Sequence, residues 1–100
     1  MNKIRLEILP WLSDRLRDHG SGRLVFEEEV GEGTTIRQVL AAYAERDNAF
    51  QKFIYDAGSR QLNEFVNIII NDRFMELAQG LETELRNGDT LIFLPAFAGG

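Results

Sequence analysis

The 100-residue chain contains no cysteine. That absence excludes disulfides, thiolate metal ligands, iron–sulfur clusters and a cysteine nucleophile. Its one histidine, His19, stands in "DHGSG" with no Ser or Asp pattern that would give it a catalytic context, and it reads as a loop residue. No apolar run approaches the ~20 residues a membrane helix needs. The start "MNKIRLEIL" is too charged for a signal peptide, so the expected location is the cytoplasm. Positive charge is scarce as well: 11 Lys and Arg against 16 Asp and Glu leave a net charge of −5. A surface of that balance is a poor match for nucleic acid or an anionic membrane and a better one for basic proteins.

What is present is enough for one core. With 44% hydrophobic residues in 100, a single domain is expected. Residues 3–9 alternate, with Ile4, Leu6 and Ile8 on one face and Lys3, Arg5 and Glu7 on the other, the pattern of a half-buried strand. Pro10 interrupts it, "WLSDRLRDHGSG" ends in turn residues, and residues 23–28 resume a strand, giving a first hairpin. The period then changes to 3.6, with Ile36, Val39, Leu40 and Tyr43 on one stripe. Thr35 and Gln38 stand in capping-box spacing at its start. Phe50, Phe53 and Ile54 mark a short second helix that ends at Gly58 and Ser59. "FVNIIIND" reads as a strand rich in β-branched residues, and Asn71, Asp72 and Arg73 turn into a short "FMEL" strand. After a loop with Gly80 and Leu81, the Asn87-Gly88 turn feeds a last strand over 90–94, where Pro95 is expected to end the pairing. The order β-β-α-(α)-β-β-β, with one main helix across a mixed sheet of four to five strands and the last strand in the middle, is an α+β, β-grasp architecture.

Several stretches invite a function and lose it on inspection. "GEGTTI" lies between strand and helix as a dinucleotide loop would, yet Ile36 stands where the third glycine belongs and Glu32 would repel a pyrophosphate. The run Glu27, Glu28, Glu29 with Glu32 reads as a solvated strand end that discourages edge aggregation, with a docking patch as the alternative. Trp11 beside Pro10 reads as core cover before partner anchor. The last strand is more informative, because "TLIFL" puts large apolar groups on both faces while one helix layer covers only one. Some of Ile68, Ile69, Phe93 or their neighbours should then form an exposed apolar patch, unless the second helix or the loop over 57–64 covers it.

The sequence closes on "LPAFAGG". A carboxylate at Gly100 is a poor electrophile, but transfer of AMP from ATP gives a mixed anhydride that a sulfur donor or an amine can attack. Nothing in the sequence binds ATP, so a partner must supply it and draw the tail into a narrow cleft. Gly99 and Gly100, without Cβ, allow that close backbone approach.

These residues resemble the ubiquitin-like sulfur-carrier family (MoaD/ThiS-like), whose pattern is a Gly-Asp turn, an apolar strand, often a proline, and Gly-Gly. The resemblance spans essentially the whole chain and is most specific over 65–72 and 88–100. "FVN-x-x-x-ND" with "LPA-x-AGG" is most similar to the branch that carries sulfur for cysteine biosynthesis. The molybdopterin synthase small subunit usually has a second proline where Ala96 stands, and the thiamine carrier is shorter. The resemblance implies that Gly100 is adenylated by a ubiquitin-E1-like enzyme and converted to a thiocarboxylate, with Gly99 easing passage of the tail. Phe93, Pro95, Phe97, Ala98 and Ile69 are the expected partner-binding residues, Phe97 equally able to fold back on its own sheet. The implied partners are the adenylating enzyme, a sulfur donor and a sulfur-accepting synthase, either a pyridoxal-phosphate cysteine synthase or the molybdopterin synthase large subunit, with a zinc-dependent peptidase possible beside them. The chain itself would be a protein-borne co-substrate and not an enzyme, a monomer holding no bound cofactor or metal, with ATP consumed by the activating partner. Residues 1–95 would be the domain and 96–100 a flexible tail. The alternative is a ubiquitin-like modifier joined to target lysines through Gly100, and the bland reading is a β-grasp binding module. Only two lysines, Lys3 and Lys52, are available for chains of itself.

Overall fold

The computed structural model describes residues 1–10 and 23–96. Trp11 and His19 therefore lie outside the described residues, as do Phe97, Ala98, Gly99 and Gly100.

Strand β1 (Asn2–Ile8) pairs antiparallel with β2 (Leu24–Val30). Helix α1 (Ile36–Arg46) and the short α2 (Asn48–Phe53) follow, then a two-stranded hairpin of β3 (Tyr55–Asp56) and β4 (Gln61–Leu62). β5 (Val66–Ile70) turns into β6 (Arg73–Phe74), two 3₁₀ segments (Met75–Leu77 and Gly80–Glu82) come next, and β7 (Thr90–Pro95) closes the sheet. The main sheet runs β2-β1-β7-β5-β6, with β7 central, parallel to β1 and antiparallel to β5. This is the expected α+β, β-grasp arrangement, its sheet at the upper end of the expected strand count.

The local causes are those visible in the residues. Thr35 accepts from the Gln38 backbone N–H and the Gln38 side chain accepts from the Thr35 N–H, so both halves of the capping box are made. Ile36, Val39, Leu40 and Ala44 are buried against Ile4, Leu6, Ile8, Ile68, Leu91 and Phe93 of the three central strands. Asp47 starts α2 by accepting from the Ala49 and Phe50 N–H groups.

Two expectations are corrected and one alternative is excluded. "FMEL" is a strand only at Arg73–Phe74; Met75 rolls inward to 5% exposure, which bends the backbone into a 3₁₀ turn. The stretch 57–64 does not cover the far face of the sheet. It forms the β3–β4 hairpin on the helix side, where Tyr55 is buried and Leu62 packs on the core. Arg37 holds it there, donating to Tyr55 Oη at 3.3 Å, to the Arg60 carbonyl at 2.5 Å and to Glu82 at 2.6 Å. Finally, Pro95 does not end the pairing. It stands opposite Val66 in register, and the ladder continues with the Ala96 N–H donating to the Phe65 carbonyl at 2.8 Å.

Candidate functional site

Pro95 survives in a central strand because of phase. The Asn71 N–H donates to the Thr90 carbonyl and Ala96 donates to Phe65, so even-numbered residues of β7 present their backbone groups to β5. Pro95 is odd, and the N–H it lacks would have faced β1, whose pairing with β7 stops at Ile8 opposite Phe93. The missing donor thus falls one step past the last bond of that ladder, the Leu9 N–H to the Phe93 carbonyl, beyond the end of β1. The consequence is positional: β7 is anchored on both sides as far as Phe93 and on one side through Ala96, whose N–H is held by Phe65.

The same phase sorts the apolar residues of β5 and β7. Leu91, Phe93, Val66, Ile68 and Ile70 face α1 and are buried. Phe93, expected to face a partner, is fully buried, its ring packed edge-on against Phe50 at 6.2 Å; it belongs to the core. Ile68 is likewise core. Ile69, the other strand residue expected at a partner surface, lies on the opposite face, half-buried. Register places it in a continuous row across the sheet: Val25, Glu7, Ile92, Ile69, Phe74. Val25 and Phe74 are 43% and 45% exposed, Phe65 (57%) extends the apolar surface beside Ala96, and Leu77 (71%) is exposed in the segment that follows β6. Leu94, on the same face as Ile92, completes it.

One charge interrupts this row. Glu7 is held by Arg5 at 3.0 Å and Arg23 at 2.8 Å, so the carboxylate is neutralised in place. The rim of the face therefore carries two guanidinium groups around an apolar centre.

The "ND" and "NGD" pieces of the sequence are structural at this site. Asn71 and Asp72 both take left-handed φ values, 49° and 69°, to turn β5 into β6. The Asn71 side chain donates to Asp89 at 2.7 Å and accepts from the Thr90 N–H at 3.0 Å; Asp89 also accepts from the Arg86 N–H at 2.7 Å. Gly88, at φ +92°, closes the turn by donating to the Lys3 carbonyl. This knot fixes the start of β7 against β1 and β5, and so fixes which residues of β7 face outward.

Among the described residues no group of three His, Asp or Glu side chains is placed to hold a metal ion. No described helix is long and apolar enough to cross a membrane. The cleft between α2 and the β3–β4 hairpin, about 420 Å³, is lined by amides, Lys52 and Asp56, and the Asp56 carboxylate is taken up in the hairpin turn, accepting from the Gln51 side chain and the Gly58 and Ser59 N–H groups. Phe65, Phe74, Leu77 and Ile92 were not singled out by sequence. The usable signal was Asn67 and Thr90, the lone polar residues of their strands, which mark the outward phase.

With that geometry in place, comparison with known proteins is informative. The ThiS family model matches residues 11–100. The chain belongs to the ThiS family. It is 31% identical over 86 residues to the sulfur carrier protein CysO of Mycobacterium tuberculosis, covering 85% of this chain and 89% of that one. It also matches the structure of the Amycolatopsis orientalis BexX/CysO complex with 27% identity, a TM-score of 0.66 and coverage of 97% of this chain and 99% of that chain. Small archaeal modifier protein 1 of Haloferax volcanii shares the fold, with a TM-score of 0.73 at 16% identity over 97% of this chain and 100% of that one. The ubiquitin-like β-grasp of this ThiS-family chain therefore stands on both sequence and structure.

Proposed function

We propose that this chain is a sulfur carrier, a protein-borne co-substrate whose Gly100 carboxylate is activated and converted to a thiocarboxylate. The observation that carries the reading is the position of β7: locked in the middle of a ThiS-family sheet, it carries Ala96, four residues before Gly100, to the margin of an exposed apolar face. In the first step a carboxylate oxygen of Gly100 attacks the α-phosphorus of ATP on an E1-like enzyme, expelling pyrophosphate and leaving an acyl adenylate. In the second, a sulfur donor attacks the acyl carbon, the C–O bond to AMP breaks, and the thiocarboxylate remains. A sulfur-accepting synthase then bonds that sulfur to its own substrate, and water breaking the remaining acyl link to Gly100 regenerates the carboxylate.

The face built by Ile92, Ile69, Leu94 and Phe74 docks the activating enzyme with Pro95, held in β7, at its margin, while Phe97 and Ala98 enter its cleft ahead of Gly99. Likeness to CysO and to the cysteine-biosynthesis branch supports a pyridoxal-phosphate cysteine synthase as the acceptor. The test is intact-mass measurement of the full chain after reaction with ATP, an E1-like enzyme and sulfide. The expected result is replacement of one oxygen by sulfur, localised to Gly100 by fragmentation and abolished by deleting Gly100. An unmodified chain under those conditions overturns the proposal. Gly-Gly remnants on lysines of other proteins, without any thiocarboxylate, would replace it by the modifier reading.

A further inference from the structure

The row of hydrogen bonds that zips β1 to its neighbours fixes the free edge of the sheet. Arg5 donates its N–H to the Asp89 carbonyl and Leu9 to the Phe93 carbonyl, so the odd residues of β1 face β7. Ile4, Leu6 and Ile8 then face β2, where their partners are Glu28, Phe26 and Leu24. The N–H and C=O groups of Val25, Glu27 and Glu29 consequently point away from the sheet, into a seven-residue edge that pairs with nothing among the described residues. β2, "LVFEEEV", contains no proline, glycine or lysine, and its register with β1 is unbroken by a bulge. Its glutamates are the protection this edge carries against another copy of itself, and they leave it open to a segment of opposite charge.

Two further features say what would fit. On the helix side of this edge, Val30, Gln38, Val39, Ala42 and Tyr43 line a cleft of about 220 Å³ between β2 and α1. On the other side, the exposed Glu27 and Glu29 carboxylates form no ion pair among the described residues. Their register partners are Arg5 and Lys3, but Arg5 is turned to Glu7. Glu28, on the cleft side, accepts from the Tyr43 hydroxyl at 2.5 Å and lies 3.9 Å from Arg46. A second copy pairing edge to edge would set these glutamates against one another, which like-charge cross-strand pairs resist.

We propose that the β2 edge docks an extended basic segment of a partner protein, which adds a strand to the sheet with apolar side chains in the β2–α1 cleft and Lys or Arg beside Glu27 and Glu29. Val25, Glu27 and Glu29 share the outward face with Ile92 but stand two strands away from it, at the free edge of the sheet, so the site offers a carrier a second handle that leaves β7 clear.

The experiment is a titration of the isotope-labelled full chain with a synthetic peptide of alternating lysine and valine, followed by amide shifts and hydrogen exchange. Saturable shifts at Val25, Glu27, Glu29, Gln38 and Ala42, with slowed exchange at the first three, are expected. Binding should weaken as ionic strength rises, and by roughly fivefold in the E27Q/E29Q double variant. Val25→Pro removes one outward N–H without touching a β1 bond and should weaken binding by a similar factor, the variant's fold being checked by its remaining amide shifts. Shifts that map to Ile92 and Ile69, equal binding of an alternating glutamate–valine peptide, or no saturable binding overturn the proposal.

Discussion

Adjacent residues of one strand should fail in opposite ways. Phe93 has no exposed surface and sits on the central strand against Phe50. Cutting it to alanine removes a whole ring's transfer energy and leaves a cavity, a cost of about 3–5 kcal/mol. Set against the ~5–15 kcal/mol that holds a typical domain of this size together, the loss is a large share. It corresponds to a drop in Tm of at least about 12 °C. Ile92, one residue earlier, points out of the other face between Glu7 and Ile69. Ile92→Lys keeps a long stem over the sheet and carries its ammonium out to water, so unfolding should change by only about 1 kcal/mol. Activation should respond in reverse. Measured by ATP–pyrophosphate exchange with the E1-like enzyme, Ile92→Lys is expected to lose at least about tenfold in kcat/KM, because a charge enters the centre of a desolvated contact. Phe93→Ala, assayed at a temperature where it remains folded, should stay within about threefold of the parent, a difference under ~1 kcal/mol. Urea unfolding followed by circular dichroism gives the first number and the exchange assay the second. Equal destabilisation by the two variants would refute the outward phase of β7, and full activation of a folded Ile92→Lys chain would refute the docking face.

The remaining expectations concern the scaffold. Thr35→Ala removes the acceptor half of the capping box and should cost about 1 kcal/mol in urea unfolding. Asn71→Ala loses two side-chain hydrogen bonds and a residue that tolerates a φ of 49°; about 2 kcal/mol is expected, with slowed tail activation if β7 shifts with the turn. Burial, then the hydrogen bond to Glu28, raises the Tyr43 phenol above its ordinary 10.0. A raised folded-state value means the contribution is complete below pH 10 and is lost as pH climbs toward the folded value. Between wild type and Tyr43→Phe, the stability difference should therefore be flat below pH 10 and shrink above it, as followed by thermal unfolding across the alkaline range.

How far the sequence could be read depended on whether a residue's neighbours had one chemistry or two. β1 was legible because Lys3, Arg5 and Glu7 alternate with Ile4, Leu6 and Ile8, leaving one possible inward face. α1 was legible for a comparable reason, its stripe and its Thr35–Gln38 cap agreeing. In β7, Leu91, Ile92, Phe93 and Leu94 are all large and apolar, so period two is present in the backbone and invisible in the hydropathy. That is why Phe93 read as a docking residue when it is core. The information lay at the strand's margins: Thr90 and Asn67 set the polar phase, and the Asn71–Asp89 knot transmits it into register. Pro95 misled in the same way, because a proline's effect depends on which neighbour its missing N–H would have faced, a property of the sheet and not of the residue. A central strand that must be apolar on both faces, one for its core and one for a partner, erases its own pattern. The ambiguity at 91–94 was thus itself a sign that the second face has work to do, and it is the Ile92 side on which a partner's contact should be sought.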